Sequence, residues 1–140
     1  MLFSAKAEYA CVAMLELASR SADPKPVRLA DVADKHGIPS RFLVQILLDL
    51  KRAGLVASTR GAAGGYALGR SPDEITLSDI IRVMDPPEPP ARNDDKLQPT
   101  SFVLSVRATW DKMVEAQEAI LKQTTLADLV GESQEIQYVI

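Results

Sequence analysis

Apolar residues recur along most of this chain with the 3.6-residue period of helices rather than the two-residue alternation of strands. Over residues 5–20, Ala10, Ala13, Met14, Leu17 and Ala18 share one face, and Ser4 stands where an N-cap is wanted. Residues 21–27 (Ser-Ala-Asp-Pro-Lys-Pro-Val) read as a loop. A short helix follows, with Leu29, Val32 and Ala33 inward and Gly37 placed to end it in a left-handed turn. Pro39 then favours a new start, because the N–H it lacks would have had no helical partner there. Phe42, Leu43, Ile46, Leu47 and Leu50 form the expected buried stripe of this second helix, which Gly54 closes.

Two helices across Gly37-Ile38-Pro39 make a helix-turn-helix candidate, a weak signal by itself. The next residues sharpen it. Leu55-Val56-Ala57-Ser58-Thr59 and Tyr66-Ala67-Leu68 are short β-prone runs around Arg60-Gly61-Ala62-Ala63-Gly64-Gly65, a hairpin with a glycine-rich tip. A hairpin directly after a helix-turn-helix is the winged-helix plan. The second helix enters a major groove, Gly64 and Gly65 let the wing backbone approach phosphates, and Arg60 suits the narrow, negative minor groove. A flexible turn is the plain alternative for the tip.

Thr76-Leu77-Ser78-Asp79 has the layout of a capping box, opening a helix through Ile80, Ile81, Val83 and Met84. Residues 85–99 break all periodicity, and their proline-rich, polar make-up predicts a mobile loop. From Ser101 to about Thr124 a long helix is expected, with Phe102, Val103, Val106, Trp110, Met113, Val114, Gln117, Ile120 and Leu121 on one broad face. At about 1.5 Å per residue it runs roughly 35 Å, too long for so small a domain to cover. A second copy of the chain, meeting Val103, Val106, Trp110, Met113 and Val114, is the economical way to bury it; folding back on its own domain is the alternative. A short helix from Thr125, stopped by Gly131, and an unassigned tail over 132–140 complete the reading. The expected organisation is therefore a winged helix-turn-helix over 1–84, a loop over 85–100, a dimerisation helix with a short terminal helix over 101–131, and the tail. The fold class is mainly α with a small β-hairpin wing.

Composition narrows the function. The 140 residues allow one cored domain with an appended element, and aromatics at 5% favour helices over a sandwich. Neither a signal peptide nor an apolar run of about 18 residues is found, so a cytoplasmic protein without a membrane partner is expected. The net charge of −3 argues superficially against nucleic acid, but it is unevenly spread. Residues 1–70 carry ten Lys/Arg against six acids; residues 71–140 carry six against thirteen. A basic head on an acidic body suits DNA binding, although an unevenly charged solvated surface is the plain alternative, which charge alone would leave ahead. One cysteine, Cys11, in an apolar helical pattern reads as a small buried hydrophobe. The single histidine, His36, has no companion for a zinc site, and no carboxylate–nucleophile constellation supports an enzyme.

Several ordered motifs resemble the Rrf-two (Rrf2) family of bacterial regulators. They are Lys6-Ala7-Glu8-Tyr9-Ala10, Gly54-Leu55-Val56, Arg60-Gly61 through Gly64-Gly65-Tyr66-Ala67-Leu68, Leu77-Ser78-Asp79-Ile80-Ile81, Trp110 and Thr125-Leu126-Ala127-Asp128-Leu129. The resemblance covers about residues 2–130. It implies a homodimeric regulator, a repressor like the family's repressor members, acting on double-stranded palindromic DNA. Ser40, Arg41 and Gln45 take the positions where family members touch base edges, and Lys6 and Tyr9 match positions near phosphate; Arg60, Gly64 and Gly65 match the wing. Gln45 has the chemistry to pair bidentately with adenine, and Arg41 with guanine or phosphate. Val44 departs from the pattern, since many relatives carry glutamate there, so their base preference does not transfer.

The sensor departs further. Where cluster-binding members have three cysteines, the corresponding positions hold Arg92, Gln98 and Leu104, with Arg107 near a fourth ligand position. No iron–sulfur cluster or other cofactor is expected. An effector or partner protein acting near residues 85–110 is expected instead, as for members that lack a cluster. The competing function is a protein–protein interaction module of the same fold that has lost DNA binding, which the acidic half and the missing cysteines would fit.

Overall fold

The computed structural model describes residues 3–87 and 96–139. Six helices and one hairpin follow in the order α1 (Ala5–Ser19), α2 (Leu29–His36), α3 (Ser40–Arg52), β1 (Val56–Thr59), β2 (Gly65–Leu68), α4 (Leu77–Met84), α5 (Ser101–Gln123) and α6 (Leu126–Val139). The local signals act as their chemistry requires. The Ser4 hydroxyl accepts from the Ala7 amide at the start of α1, and Thr76 and Asp79 form a reciprocal capping box on α4. Gly37 takes φ +69°, the left-handed conformation that ends α2 and turns the chain into α3.

The core lies where α1, α3 and α4 meet. Met14 of α1, Leu43, Ile46, Leu47 and Leu50 of α3, Ile75 and Ile80 are essentially solvent-free. Phe42 is a correction: it is 46% exposed and lies outside the buried stripe of α3. The stripe is already filled by the three-and-four spacing from Leu43, so a neighbouring position points elsewhere.

Segment 21–27 is also more than a loop. Val27 forms a β-bridge with Tyr66, donating to its carbonyl at 2.8 Å and accepting from its amide at 2.7 Å. The antiparallel hairpin, in the register Val56↔Leu68 to Thr59↔Gly65, thus gains a third extended edge. A second correction concerns the C-terminus. Gly131 does not stop the last helix, which continues to Val139; a side chain there would meet nothing within 4 Å. Thr125 and Asp128 cap its start reciprocally, and Leu126 N–H donates to Ile75 C=O at 3.0 Å, pinning the α5–α6 junction beside the start of α4.

One polar cluster joins the first two helices from inside. Glu16 of α1 is buried, yet its Oε2 accepts from Arg20 Nε at 2.7 Å, while its Oε1 lies 2.8 Å from both Lys35 Nζ and His36 Nε2. Burial alone would raise this carboxyl. Hydrogen bonds from Lys35, His36 and Arg20, with the charge of Lys35, overturn that and lower it from 4.5 to about 2. A group whose folded pKa is depressed adds stability that is fully present above its ordinary pKa and lost as pH falls through the folded one. Glu16→Gln is therefore expected to cost about 1–3 kcal/mol at pH 7. Urea titrations of both proteins check it: the gap should shrink by about half by pH 3, and a gap independent of pH would remove this role from Glu16.

Candidate nucleic-acid interface

The burial of α3 on one side fixes what its other side presents. With Leu43, Ile46, Leu47 and Leu50 held in the core, Ser40, Arg41, Val44 and Gln45 face outward. The Arg41 guanidinium lies 4.8 Å from the Phe42 ring centroid, so the exposed ring gives the arginine a cation–π support. Gln45 Nε2 donates to Asp49 Oδ1 at 3.0 Å, one turn further along the helix. The other carboxylate oxygen of Asp49 accepts from Lys6 Nζ at 3.4 Å, and Arg52 stands 3.9 Å from Oδ1. Lys6 and Gln45 are thereby brought together on one carboxylate, although they are 39 positions apart in sequence. Tyr9 is half-buried and packs against the core, one turn along α1 from Lys6.

The wing forms a second group. Arg60 is exposed at the end of β1. Gly64 turns the tip by donating to Gly61 C=O at 2.9 Å, and a Cβ on Gly64 would collide with the Thr59 carbonyl. A Cβ on Gly65 would come within 2.5 Å of Val27 O. Both glycines are thus demanded by close backbone packing within the wing, before any approach to phosphate is considered. Arg28, at the N-cap of α2, donates from Nη2 to Ala62 C=O at 2.7 Å and ties the wing tip back to the helix-turn-helix. Among the described residues no side-chain hydrogen bond joins Arg60 to α3 or to Lys6, so the two groups are set relative to each other by the fold.

Sequence reasoning missed Arg28, Val27 and Asp49. The Gln45–Asp49 spacing of four was available as a helical hydrogen-bond signal. Arg28 and Val27 gave none, because their partners are remote in the chain.

The long helix α5 buries only Leu121 among its residues. Val106, Trp110, Met113 and Val114 are exposed, and Val103 is half-buried. Trp110, Met113, Val114, Gln117 and Ile120, with Phe3, line an open apolar groove of about 620 Å³. At its far end α5 is docked by Glu118, which accepts from Ser78 Oγ and Arg82 Nη2, each at 3.1 Å.

An iron–sulfur cluster requires a set of thiolates, and the residues present do not supply one. The chain has a single cysteine. Cys11 lies in α1, half-buried, where burial first, then the negative charges of Glu8 and Asp85, push its thiol up to about 11; that is the opposite of a ligand thiolate. Gln98 and Leu104 offer no thiolate, and Arg92 lies outside the described residues. Among the described residues no three His, Cys, Asp or Glu side chains form a metal-holding group. No helix among them is long and apolar enough to cross a membrane.

Known proteins with this arrangement agree in fold and sequence. The CymR transcriptional regulator of Bacillus subtilis is 37% identical over 131 residues, covering 94% of this chain and 91% of its own length. The IscR transcriptional regulator of Serratia proteamaculans is 36% identical over 133 residues, with coverages of 94% and 80%. Among solved structures, the B. subtilis CymR described as a global cysteine regulator superposes with a TM-score of 0.83 at 36% identity, covering 94% of this chain and 98% of that one. IscR of T. potens superposes with a TM-score of 0.78 at 36% identity, with coverages of 98% and 91%. Residues 3–132 match the family Rrf2, described as an iron-dependent transcriptional regulator. The chain belongs to the Rrf2 family, and it is a winged helix-turn-helix DNA-binding transcriptional regulator rather than an enzyme.

Proposed function

We propose that this protein acts as a homodimeric repressor on a palindromic operator, without an iron–sulfur cluster. Each protomer lays α3 in a major groove, with half-sites about one helical turn, or a small multiple of it, apart. Ser40, Arg41 and Gln45 read base edges; Lys6 and Tyr9 lie along phosphates; Arg60, with the backbone of Gly64 and Gly65, reaches the neighbouring groove. The observation that carries this reading is the division of α3 into a solvent-free apolar face and an exposed polar one. A helix held so firmly presents its outer side chains at low entropic cost. The domain limits follow the same logic, with a head over 1–84 and a dimerisation region from 101 that, with α6 unbroken at Gly131, continues to Val139.

The dimer reading rests on α5. Val106, Trp110, Met113 and Val114 form an exposed apolar face on a helix whose other end is locked to the head. A second copy covering it with Val103 would remove that surface from water. An effector or partner protein acting at 85–110 would then change the spacing of the two heads. The entry to that segment is already bonded to the head, because Asp85 accepts from Ser4 N at 3.0 Å and from Ser4 Oγ at 2.6 Å, two residues before Lys6. Residues 88–95 of the segment lie outside the described residues. Action on chromosomal DNA places the protein in the cytoplasm.

Selection of bound fragments from sheared genomic DNA of the host tests the reading, with the absorbance spectrum recorded during purification. A palindromic site bound by a colourless protein is expected; no enrichment at low salt would leave a protein–protein interaction module as the function. On the selected site, Arg60→Ala should cost about 1–3 kcal/mol. Lys6→Ala should instead weaken all sequences alike and lower the slope of log affinity against log salt by about one. Equal affinities for wild type and both variants would remove these assignments.

Met113→Lys tests the dimer. It places a charge in the apolar face without touching the core, so sedimentation should show a folded monomer and operator affinity should fall at least tenfold. A variant that stays dimeric moves the interface elsewhere.

A further inference from the structure

We propose that Asp49 is a positioning residue that fixes the orientation of the Gln45 carboxamide and so sets a base preference of the recognition helix. This rests on the reading that α3 enters a major groove. The argument starts from hydrogen-bond capacity. A carboxylate only accepts, whereas a primary amide accepts at its oxygen and donates at its nitrogen. Gln45 lies 3.0 Å from Asp49 Oδ1, so the end facing Asp49 has to be Nε2. The flipped amide would set two acceptor oxygens against each other. Oε1 is therefore turned away from Asp49, and the second N–H of Nε2 remains free.

Asp49 is itself held in place. Its Oδ2 takes Lys6 Nζ at 3.4 Å from a different helix, and Arg52 lies 3.9 Å from Oδ1. It is half-buried, between the fully buried Ile46 and Leu50 along the helix. The carboxylate has two cations to offset its charge and cannot turn away from Gln45 without leaving one of them.

A fixed carboxamide with an outward oxygen and one remaining N–H is a directional reader. It matches a base edge that both donates and accepts. In the major groove adenine does this with its N6 amino group and N7, while guanine presents two acceptors, O6 and N7. Facing guanine, Oε1 would meet an acceptor, and Asp49 prevents the amide from flipping to escape it. Without Asp49, Gln45 rotates freely and tolerates both purines. The carboxylate has a second effect: it sets a negative charge on a face that approaches phosphates and occupies Lys6. Its removal should strengthen binding to unrelated DNA even as it weakens selectivity.

The test uses the full-length protein and the operator selected from genomic DNA, with every position of one half-site varied. The wild type should prefer adenine over guanine about tenfold or more at one position. Asp49→Ala should cut that preference at least threefold at that position alone and raise affinity for an unrelated duplex. Asp49→Asn, whose amide can donate to Gln45 Oε1 as readily as accept from Nε2, should relax the preference as Asp49→Ala does, although it keeps the size of the side chain. In a Gln45→Ala background, Asp49→Ala should change no base preference further. An unchanged preference in Asp49→Ala overturns the proposal, and so does an equal loss at all positions, which marks a scaffold role only. If the wild type selects no operator at all, the groove-reading function fails first and this inference falls with it. Selective binding that ignores Asp49 sinks the inference alone.

Discussion

Everything this molecule offers to a partner depends on α3 being unable to rotate. Leu43, Ile46, Leu47 and Leu50 are buried to the last few per cent of their surface, each contributing about 1.5–3 kcal/mol on transfer from water. A rotation of one residue, about 100°, would drive polar side chains toward the core, Gln45 and Asp49 in one sense or Lys51 in the other, and expose part of that stripe. The cost exceeds anything a surface contact could return. The outer face is thus defined by the inner one, and the exposed side chains inherit the rigidity of a packed core. What remains adjustable is the rotamer of each side chain, which is where Asp49 acts on Gln45 and Phe42 on Arg41.

The elements around α3 hold it by different physics. Behind it, the buried Glu16 gathers Arg20, Lys35 and His36, joining α1 to the last turn of α2. The three partners keep a large part of their surface in water, so they deliver charge to the carboxylate without being fully desolvated themselves. In front, the wing is attached through backbone: Val27 bridges Tyr66, and Arg28 binds the carbonyl of Ala62. The glycines at 64 and 65 let main chains pack closer than any side chain allows. A two-stranded hairpin alone is marginal in water. The bridge at Val27 makes it the outer part of a three-edged unit and gives its tip a fixed place beside the helix-turn-helix.

How much of this was readable in advance depended on the range of the interaction. Caps and turns rest on neighbours within four residues, so Ser4, Gly37 and the Thr76–Asp79 box were legible, and the apolar period revealed which helices exist. Phe42 was misplaced because periodicity gives a broad arc, and only packing says where the arc ends. Gly131 misled because an exposed helix interior tolerates glycine at a cost of about 1 kcal/mol, which the capping at Thr125 and Asp128 and the docking of α6 on α1 offset. The Glu16 cluster, the Val27 bridge and Arg28 were invisible, since each needs a partner at least nineteen positions away or a backbone contact that no residue type announces. The candidate site followed the same divide: the motifs marked Arg41, Gln45 and Arg60, whereas their supports appeared only with the fold.

The long helix carries the remaining logic. A single recognition helix meets only a few base pairs, each worth about 1–3 kcal/mol of discrimination, too little to find one site among a genome of competitors. Two heads joined at a set distance solve this, because binding of the second is intramolecular once the first is seated. The joint has to be stiff for that gain to be realised. Here the end of α5 is fastened by Glu118 to Ser78 and Arg82, Leu121 is buried, and Leu126 is solvent-free against the head. Toward the opposite end Phe102, Leu104 and Val106 are exposed. In the proposed dimer, a lever fixed at one end and open at the other would transmit a change at its free end to the spacing of the heads. Where cluster-binding relatives place thiolates near that end, this chain has none. In the proposed reading the signal enters by contact with α5 or the segment before it, and not by the gain and loss of a bound iron–sulfur group.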